Sequence, residues 1–241
     1  MSTTSAAKAR LPQSQPEKTA TQQQQEQPRI AAQQFWQDTL AGFVFPTPLT
    51  VDKSSRTPSS QSQAAGQLPR QLPKELYAAL KQFCHQHDLA LSTLLQAAWG
   101  LLLSRYSGEQ DVIFGTATSS ASGPLPLRCQ IEPDDTVLPW LTQVQANLQA
   151  LQAYKTTPLA QVQSWSELPA DQPLFESLLV VAEDNLPSRQ AAAGQYPLTL
   201  HLVPGEELAV FLMFDADRLA ETAVSRMFDH YCNLLAGLMV D

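Results

Sequence analysis

The segment that most constrains this chain is Leu91–Tyr106 (LSTLLQAAWGLLLSRY). Leu94, Leu95, Ala98, Leu101, Leu102 and Tyr106 recur at helical spacing and leave almost no polar face. A helix that is apolar nearly all round has to be covered on every side, which places it at the centre of a core. Ser92 is expected to cap its N-terminus. Such a helix needs other elements around it, and the flanking patterns predict them.

Upstream, Pro73 reads as the first residue of a helix with Leu76, Leu80, Phe83 and Cys84 as its buried stripe. Ile30–Phe43 is a shorter helix with Phe35, Trp36 and Leu40 on one face and Gly42 as its stop. Downstream, Asp111–Thr116 (DVIFGT) and Leu125–Ile131 (LPLRCQI) read as strands. Val137, Leu141, Val144, Leu148 and Leu151 define a long amphipathic helix, and Pro158 opens a short one with Leu159 and Val162 inward. Ser177–Asp184, Pro197–Val203 and Glu207–Phe214 read as strands, the last two joined through Pro204–Gly205 as a hairpin. Ala220–Met239 closes the chain as a helix burying Ala223, Met227, Tyr231, Leu234 and Leu238. This order predicts an α/β domain, a mixed sheet covered by helices.

Two stretches lack any apolar period. Residues 1–28, rich in Gln, Ser and Thr with Pro12, Pro16 and Pro28, bury too little to offset the entropy of ordering. They are expected to form a disordered tail before a single domain over residues 29–241. Asp52–Pro69 (DKSSRTPSSQSQAAGQLP) reads as a flexible loop.

Composition excludes several functions. The formal charge is −8, and the 15 basic residues are scattered, so no phosphate-binding stripe exists and nucleic acid is not an expected partner. No apolar run approaches the ~18 residues of a membrane span, and the N-terminus has no secretory h-region. Cys84, Cys129 and Cys232 show no C-x-x-C spacing and fit reduced, mostly buried thiols. A soluble, cytoplasmic protein is expected.

The residues that carry chemistry elsewhere form no motif here. His85 and His87 (CHQHDL) are two apart at a helix end, so they diverge and cannot share a metal. His201 lies mid-strand and His230 in the last helix, neither beside a group that would orient it as a base. The hydroxyl-rich Thr118–Gly123 has no base, and the pairs Asp134–Asp135 and Glu183–Asp184 read as solvated. G-x-S-x-G, G-K-[ST], G-x-G-x-x-G and H-E-x-x-H are all absent. No catalytic, cofactor-binding or metal-binding residue is assigned.

Several longer strings point to a family. FWQDTLAGF followed by PTPL (Phe35–Leu49), Leu91–Thr116, Leu138–Pro169, QPLFESLLV (Gln172–Val180) and Tyr196–Leu219 occur in order. Together they resemble the C-terminal lobe of a condensation domain of nonribosomal peptide synthetases, from about residue 30 onward. The resemblance implies one chloramphenicol-acetyltransferase-like lobe. In that family two such lobes form a V, and carrier proteins bring phosphopantetheine arms into the tunnel between them. An acceptor amine there attacks a donor thioester to form an amide. The resemblance implies no directly bound cofactor.

The departures shape the expected function. The family's H-H-x-x-x-D-G motif belongs to the N-terminal lobe and does not occur in this sequence, and CHQHDL is no displaced copy of it. The family's stretch between the strands matching VIFGT and LPLR carries a G-R turn and a G-x-F-[VI]-N-T motif. Here Gly115–Arg128 (GTATSSASGPLPLR) passes directly across. The chain is therefore expected to be truncated and condensation-like, without independent catalysis. It would dock carrier proteins or a separate N-terminal lobe, and self-associate through a face left uncovered. Two other readings stand beside this one: half of a split condensation enzyme, or a non-catalytic interaction module or gene remnant.

Overall fold

A computed structural model describes residues 20–50, 65–118, 123–182 and 195–240. In chain order the elements are α1 (Ala20–Leu40), β1 (Ala65–Gln71), α2 (Lys74–Gln86), α3 (Leu91–Ser107), β2 (Asp111–Thr118) and β3 (Leu125–Gln130). Then come α4 (Val137–Gln152), α5 (Leu159–Trp165), β4 (Ser177–Val181), β5 (Leu198–Val203), β6 (Ala209–Asp215) and α6 (Glu221–Gly237). The strands make one mixed sheet in the order β1-β6-β5-β4-β2-β3. β2, β4 and β5 are parallel neighbours, and β1, β6 and β3 pair antiparallel.

The all-round apolar helix is α3, and it sits where its pattern requires. Leu94, Leu95, Ala97, Ala98, Trp99, Leu102 and Leu103 are buried. α3 packs against α2, α4 and α6 and against one face of the sheet. Tyr231 of α6 donates to the Leu95 carbonyl at 2.9 Å, a buried partner for the phenol. The N-cap is Ala90, upstream of Ser92, and its side chain cannot cap. Instead the Gln145 amide oxygen on α4 accepts from the Ala90 N–H (2.7 Å) and the Thr93 hydroxyl (3.1 Å). A neighbouring helix thus satisfies the helix end in place of a local cap.

Strand periodicity separates the two sheet faces. On β5, Leu198, Leu200 and Leu202 are fully buried, while Thr199 and His201 point to the opposite face. α1 and α5 pack on each other and join the same continuous core as α3 and the sheet. Trp36, Leu40 and Val162 are buried there, and Phe35 stacks on Tyr154 with ring centroids 4.2 Å apart. β2 reaches back beyond the start of β4, and there the Ile113 N–H donates to Thr47 Oγ1 at 2.8 Å.

Arg128 of β3 fastens α1 to the sheet. Its guanidinium donates to both Asp111 carboxylate oxygens (2.8 and 2.6 Å) and to the Thr39 and Ala41 carbonyls (2.8 and 2.9 Å). The latter two lie at the end of α1, so one cation neutralises a carboxylate and the negative end of a helix. Arg128→Ala is expected to cost about 2 kcal/mol, since the pair is only partly buried and solvent takes over some of the lost contacts. Urea unfolding checks this. Arg128→Lys should recover little, because an ammonium cannot span four acceptors in a planar fork.

Several boundaries differ from the sequence reading. α1 begins at Ala20, so residues 20–28 of the expected tail are helical and Pro28 lies inside the helix. Residues 1–19 lie outside the described residues. Within the expected loop Asp52–Pro69, Ala65–Pro69 belongs to edge strand β1, which runs on to Gln71 and pairs along β6. Residues 51–64 lie outside the described residues. Both sheet edges hold a proline, Pro69 in β1 and Pro126 in β3, where a missing N–H removes no ladder bond. α6 buries a wider stripe than expected, with Val224, Phe228 and Leu235 added and Ala223 and Leu234 only half-buried. It contacts α3, α2 and β1 at once, which rotates the buried face.

Candidate functional site

The histidines occupy separate places. His85 and His87 are exposed at the end of α2, with His87 tilted against Phe83. His230 Nδ1 lies 2.9 Å from the Tyr106 hydroxyl on the exposed side of α6 and α3. His201 is buried at 5% exposure, and neither ring nitrogen has a hydrogen-bond partner. Burial holds its imidazole below the ordinary value of 6.5. A buried neutral ring with no orienting carboxylate cannot act as a positioned base.

Its effect falls on stability. The unfolded chain takes up the proton first as pH drops below 6.5. The His201 contribution therefore makes stability fall as the solution is acidified and levels off above that pH. His201→Leu removes two unsatisfied nitrogens and is expected to raise stability by about 1–2 kcal/mol at neutral pH. It should also flatten the melting-temperature profile between pH 7.5 and 5.5 (roughly the titration range of an imidazole) relative to the parent chain, as read by calorimetry.

The other polar candidates do not assemble either. Asp134 and Asp135 are exposed in a turn, where Asp135 accepts the Glu132 N–H. Glu183, Asp184 and Ser119–Ser122 lie outside the described residues. Burial pushes the Cys84 and Cys232 thiols up to about 11 and Cys129 up to about 12, far from thiolate reactivity. No group of metal-ligating side chains occurs among the described residues.

A cleft of about 370 Å³ lies where β2, β4 and β5 end. In open α/β sheets the carboxyl ends of parallel strands are where ligands settle. Thr116 comes from β2, Val181 from β4, and Pro204 follows β5. α3 supplies Ser92 and Gln96 from its first turns, and Leu148, Leu151 and Lys155 come from α4 and the turn after it. Gln96 is 5% exposed, and its Oε1 accepts from the Thr116 hydroxyl at 2.5 Å. Gln96 is also part of the cleft lining. Lys155 is exposed at the mouth and makes no ion pair among the described residues. No Asp or Glu among the described residues lines the space. A second cleft, about 380 Å³, lies between α1, β3 and α4, but its cation is Arg128, already committed to four acceptors.

Sequence reasoning assigned neither Gln96 nor Lys155. Gln96 had a readable signal: it is the one amide in the otherwise apolar middle of α3. A buried amide needs partners, and its oxygen finds one in the Thr116 hydroxyl.

The family model for the condensation domain matches residues 5–241. The chain belongs to the condensation-domain family. A linear gramicidin synthase of Brevibacillus parabrevis is 33% identical over 87% of the chain, and chondramide synthase cmdD of Chondromyces crocatus is 31% identical over 86%. The chain spans only 5% and 6% of those proteins. Among solved structures, the X-domain in complex with OxyB from teicoplanin biosynthesis matches at a TM-score of 0.76 and 20% identity, over 90% of this chain and 55% of that one. The first condensation domain of the calcium-dependent antibiotic synthetase matches at 0.71 and 15%, over 89% and 53%. These neighbours share the chloramphenicol-acetyltransferase-like fold expected from the sequence.

This condensation-family chain places its matching strings at structural joints. VIFGT lies in β2 and LPLR in β3, and Thr116 pairs with Leu125, so the strands on either side of residues 119–122 are antiparallel neighbours. TTPLAQVQ leads into α5. QPLFESLLV brings Phe175 onto Gly115 before it enters β4. The family match begins well before residue 30, where the sequence resemblance was traced. No helix among the described residues is long and apolar enough to cross a membrane.

Proposed function

We propose that these residues form a condensation-domain C-terminal lobe that does not make amide bonds by itself. The observation that carries this reading is chemical. The family's H-H-x-x-x-D-G string does not occur in the sequence, and the one buried imidazole, His201, has no polar partner. An amine must be positioned or deprotonated by a suitably placed base for acyl transfer, and none of the four histidines lines the cleft at the strand ends. The match to a little over half of single condensation-type domains supports the one-lobe reading. The carrier proteins, with their phosphopantetheine arms, are the partners this reading implies.

The test supplies donor and acceptor carrier proteins loaded with aminoacyl thioesters and looks for amide product by mass spectrometry. No product is expected from this chain alone, and steady turnover would overturn the reading. Product that appears only on adding a separate lobe bearing H-H-x-x-x-D-G would identify a split enzyme. A second reading, an interaction module, is favoured by the likeness to an X-domain solved in complex with OxyB. Under it, the chain captures a partner protein and stays inactive even with the added lobe.

A further inference from the structure

We infer that the outer edge of β3 accepts a short extended segment of another polypeptide, paired antiparallel to it in the cleft between α1 and α4. β3 ends the sheet order, so one of its edges has no strand beside it. The Ile131 N–H donates to the Gln110 carbonyl at 2.8 Å. Alternation along an antiparallel pair then turns the backbone groups of Leu125, Leu127 and Cys129 toward β2, and those of Pro126, Arg128 and Gln130 away from it. Trp140 Nε1 of α4 donates to the Gln130 carbonyl at 2.9 Å, which fixes the same outward direction. The outward row therefore offers the N–H groups of Arg128 and Gln130 and the carbonyls of Pro126 and Arg128, none of which the β2 ladder can use. This stretch of β3 lines the cleft of about 380 Å³.

The other margin of the sheet differs. The Leu72 N–H donates to the Leu208 carbonyl, so Gln67, Pro69 and Gln71 of β1 point outward, and Pro69 interrupts that row in its middle. In β3 the proline stands at one end of the row and leaves two consecutive outward donors. A second folded sheet asks for a longer row and has to pass between α1 and α4, whereas one short segment does not. Strand addition of this kind takes affinity from main-chain hydrogen bonds and selectivity from alternate side chains. The walls set those side chains. Arg128 reaches the Thr39 and Ala41 carbonyls at the end of α1, so a residue paired with it faces α1, where Asp38 is exposed. The residues on either side face α4 at Ala150 and Leu151. The fitting segment is apolar toward α4 and polar or basic toward α1, which also suits a chain of net charge −8.

Such binding is independent of whether the chain forms amide bonds. The probe is the pentapeptide acetyl-Lys-Val-Thr-Val-Lys-amide, titrated into the full 241-residue chain. With its threonine opposite Arg128, both valines face α4 and both lysines face α1. Saturable 1:1 binding is expected by calorimetry. N-methylation of the threonine removes the donor to the Arg128 carbonyl and should weaken binding about tenfold or more. N-methylation of the second valine, whose nitrogen faces away from β3, should cost far less. Gln130→Pro removes one outward N–H without touching the β2 ladder and should weaken the parent peptide by a similar tenfold. Amide exchange followed by NMR locates the contact: Arg128 and Gln130 should gain protection on binding, while Cys129, already turned to β2, should not. Lack of saturable binding overturns the inference. So does binding that both N-methyl peptides share equally, or that leaves exchange at Arg128 and Gln130 unchanged. Should Gln130→Pro fail to fold, the two N-methyl peptides and the exchange pattern decide alone.

Discussion

Trp99→Ala is expected to lower stability by about 3–5 kcal/mol, the range for removing a large aromatic from a packed core. Trp99 lies on the sheet side of α3 at 1% exposure. Its indole meets Tyr231 edge-to-face, with centroids 6.0 Å apart and planes at 74°, and its Nε1 donates to Ser177 Oγ at 3.4 Å. One side chain therefore joins the central helix to α6 and to β4, which belongs to the parallel core. Alanine would leave a void bounded by the backbones of three elements, and none can move in without displacing the others. At about 2–4 °C per kcal/mol for a domain of this size, the melting temperature should fall by roughly 10 °C. Trp99→Phe keeps most of the ring and loses the indole donor, so about 1–2 kcal/mol is expected. Trp165, half-buried on α5, supplies the contrast: its alanine variant should cost clearly less. Urea denaturation of the three variants ranks them, and equal costs for Trp99→Ala and Trp165→Ala would refute the central position of α3.

Gly115→Ala should destabilise by about 1–3 kcal/mol, the usual cost of overpacking, even though conformational entropy alone would favour alanine. The only described glycines with positive φ are Gly42 and Gly108, so Gly115 has an ordinary strand backbone and strain plays no part. The obstacle is steric. A Cβ at Gly115 would overlap the Phe175 ring at Cε2 and lie 2.7 Å from Cζ. The Phe175 ring is 1% exposed and stacked on Tyr196, with centroids 5.2 Å apart, so it has little room to retreat. Phe175→Leu opens that space. In that background Gly115→Ala should cost at least about 1 kcal/mol less, a coupling in the range seen for side chains in contact. Strict additivity in the double-mutant cycle would show that the ring does not press on Gly115.

Much of this architecture was readable because burial is written into spacing. α3 announces itself by having no polar face. β5 alternates, β6 is a short continuous apolar run, and Pro204–Gly205 marks the turn between them. α4 repeats Leu and Val at helical intervals. β1 was unreadable for a physical reason. Gln67, Pro69 and Gln71 point outward from a sheet edge, so only Leu68 of the strand is buried. Its extended form comes from the backbone of β6, residues far away in sequence. The true cap of α3 was hidden in the same way, because its acceptor is Gln145 on another helix. The cleft is harder still. Lys155 is an ordinary surface lysine until the chain folds beside the ends of β2 and β4, and no spacing rule links it to Gln96 or Thr116. The family strings say where the scaffold is, while the polar groups that face open space depend on how distant segments meet.

The prolines at Pro69 and Pro126 bear on how copies of this molecule can associate. A strand arriving at either margin of the sheet would meet a backbone position with nothing to donate, and at β1 also the Arg70 side chain, held by Ser225 at 2.9 Å. Templated growth of one sheet into the next, the route to fibrils, is thereby discouraged at both ends. Association of one copy with another is therefore expected to run through side chains rather than through strand pairing at these margins.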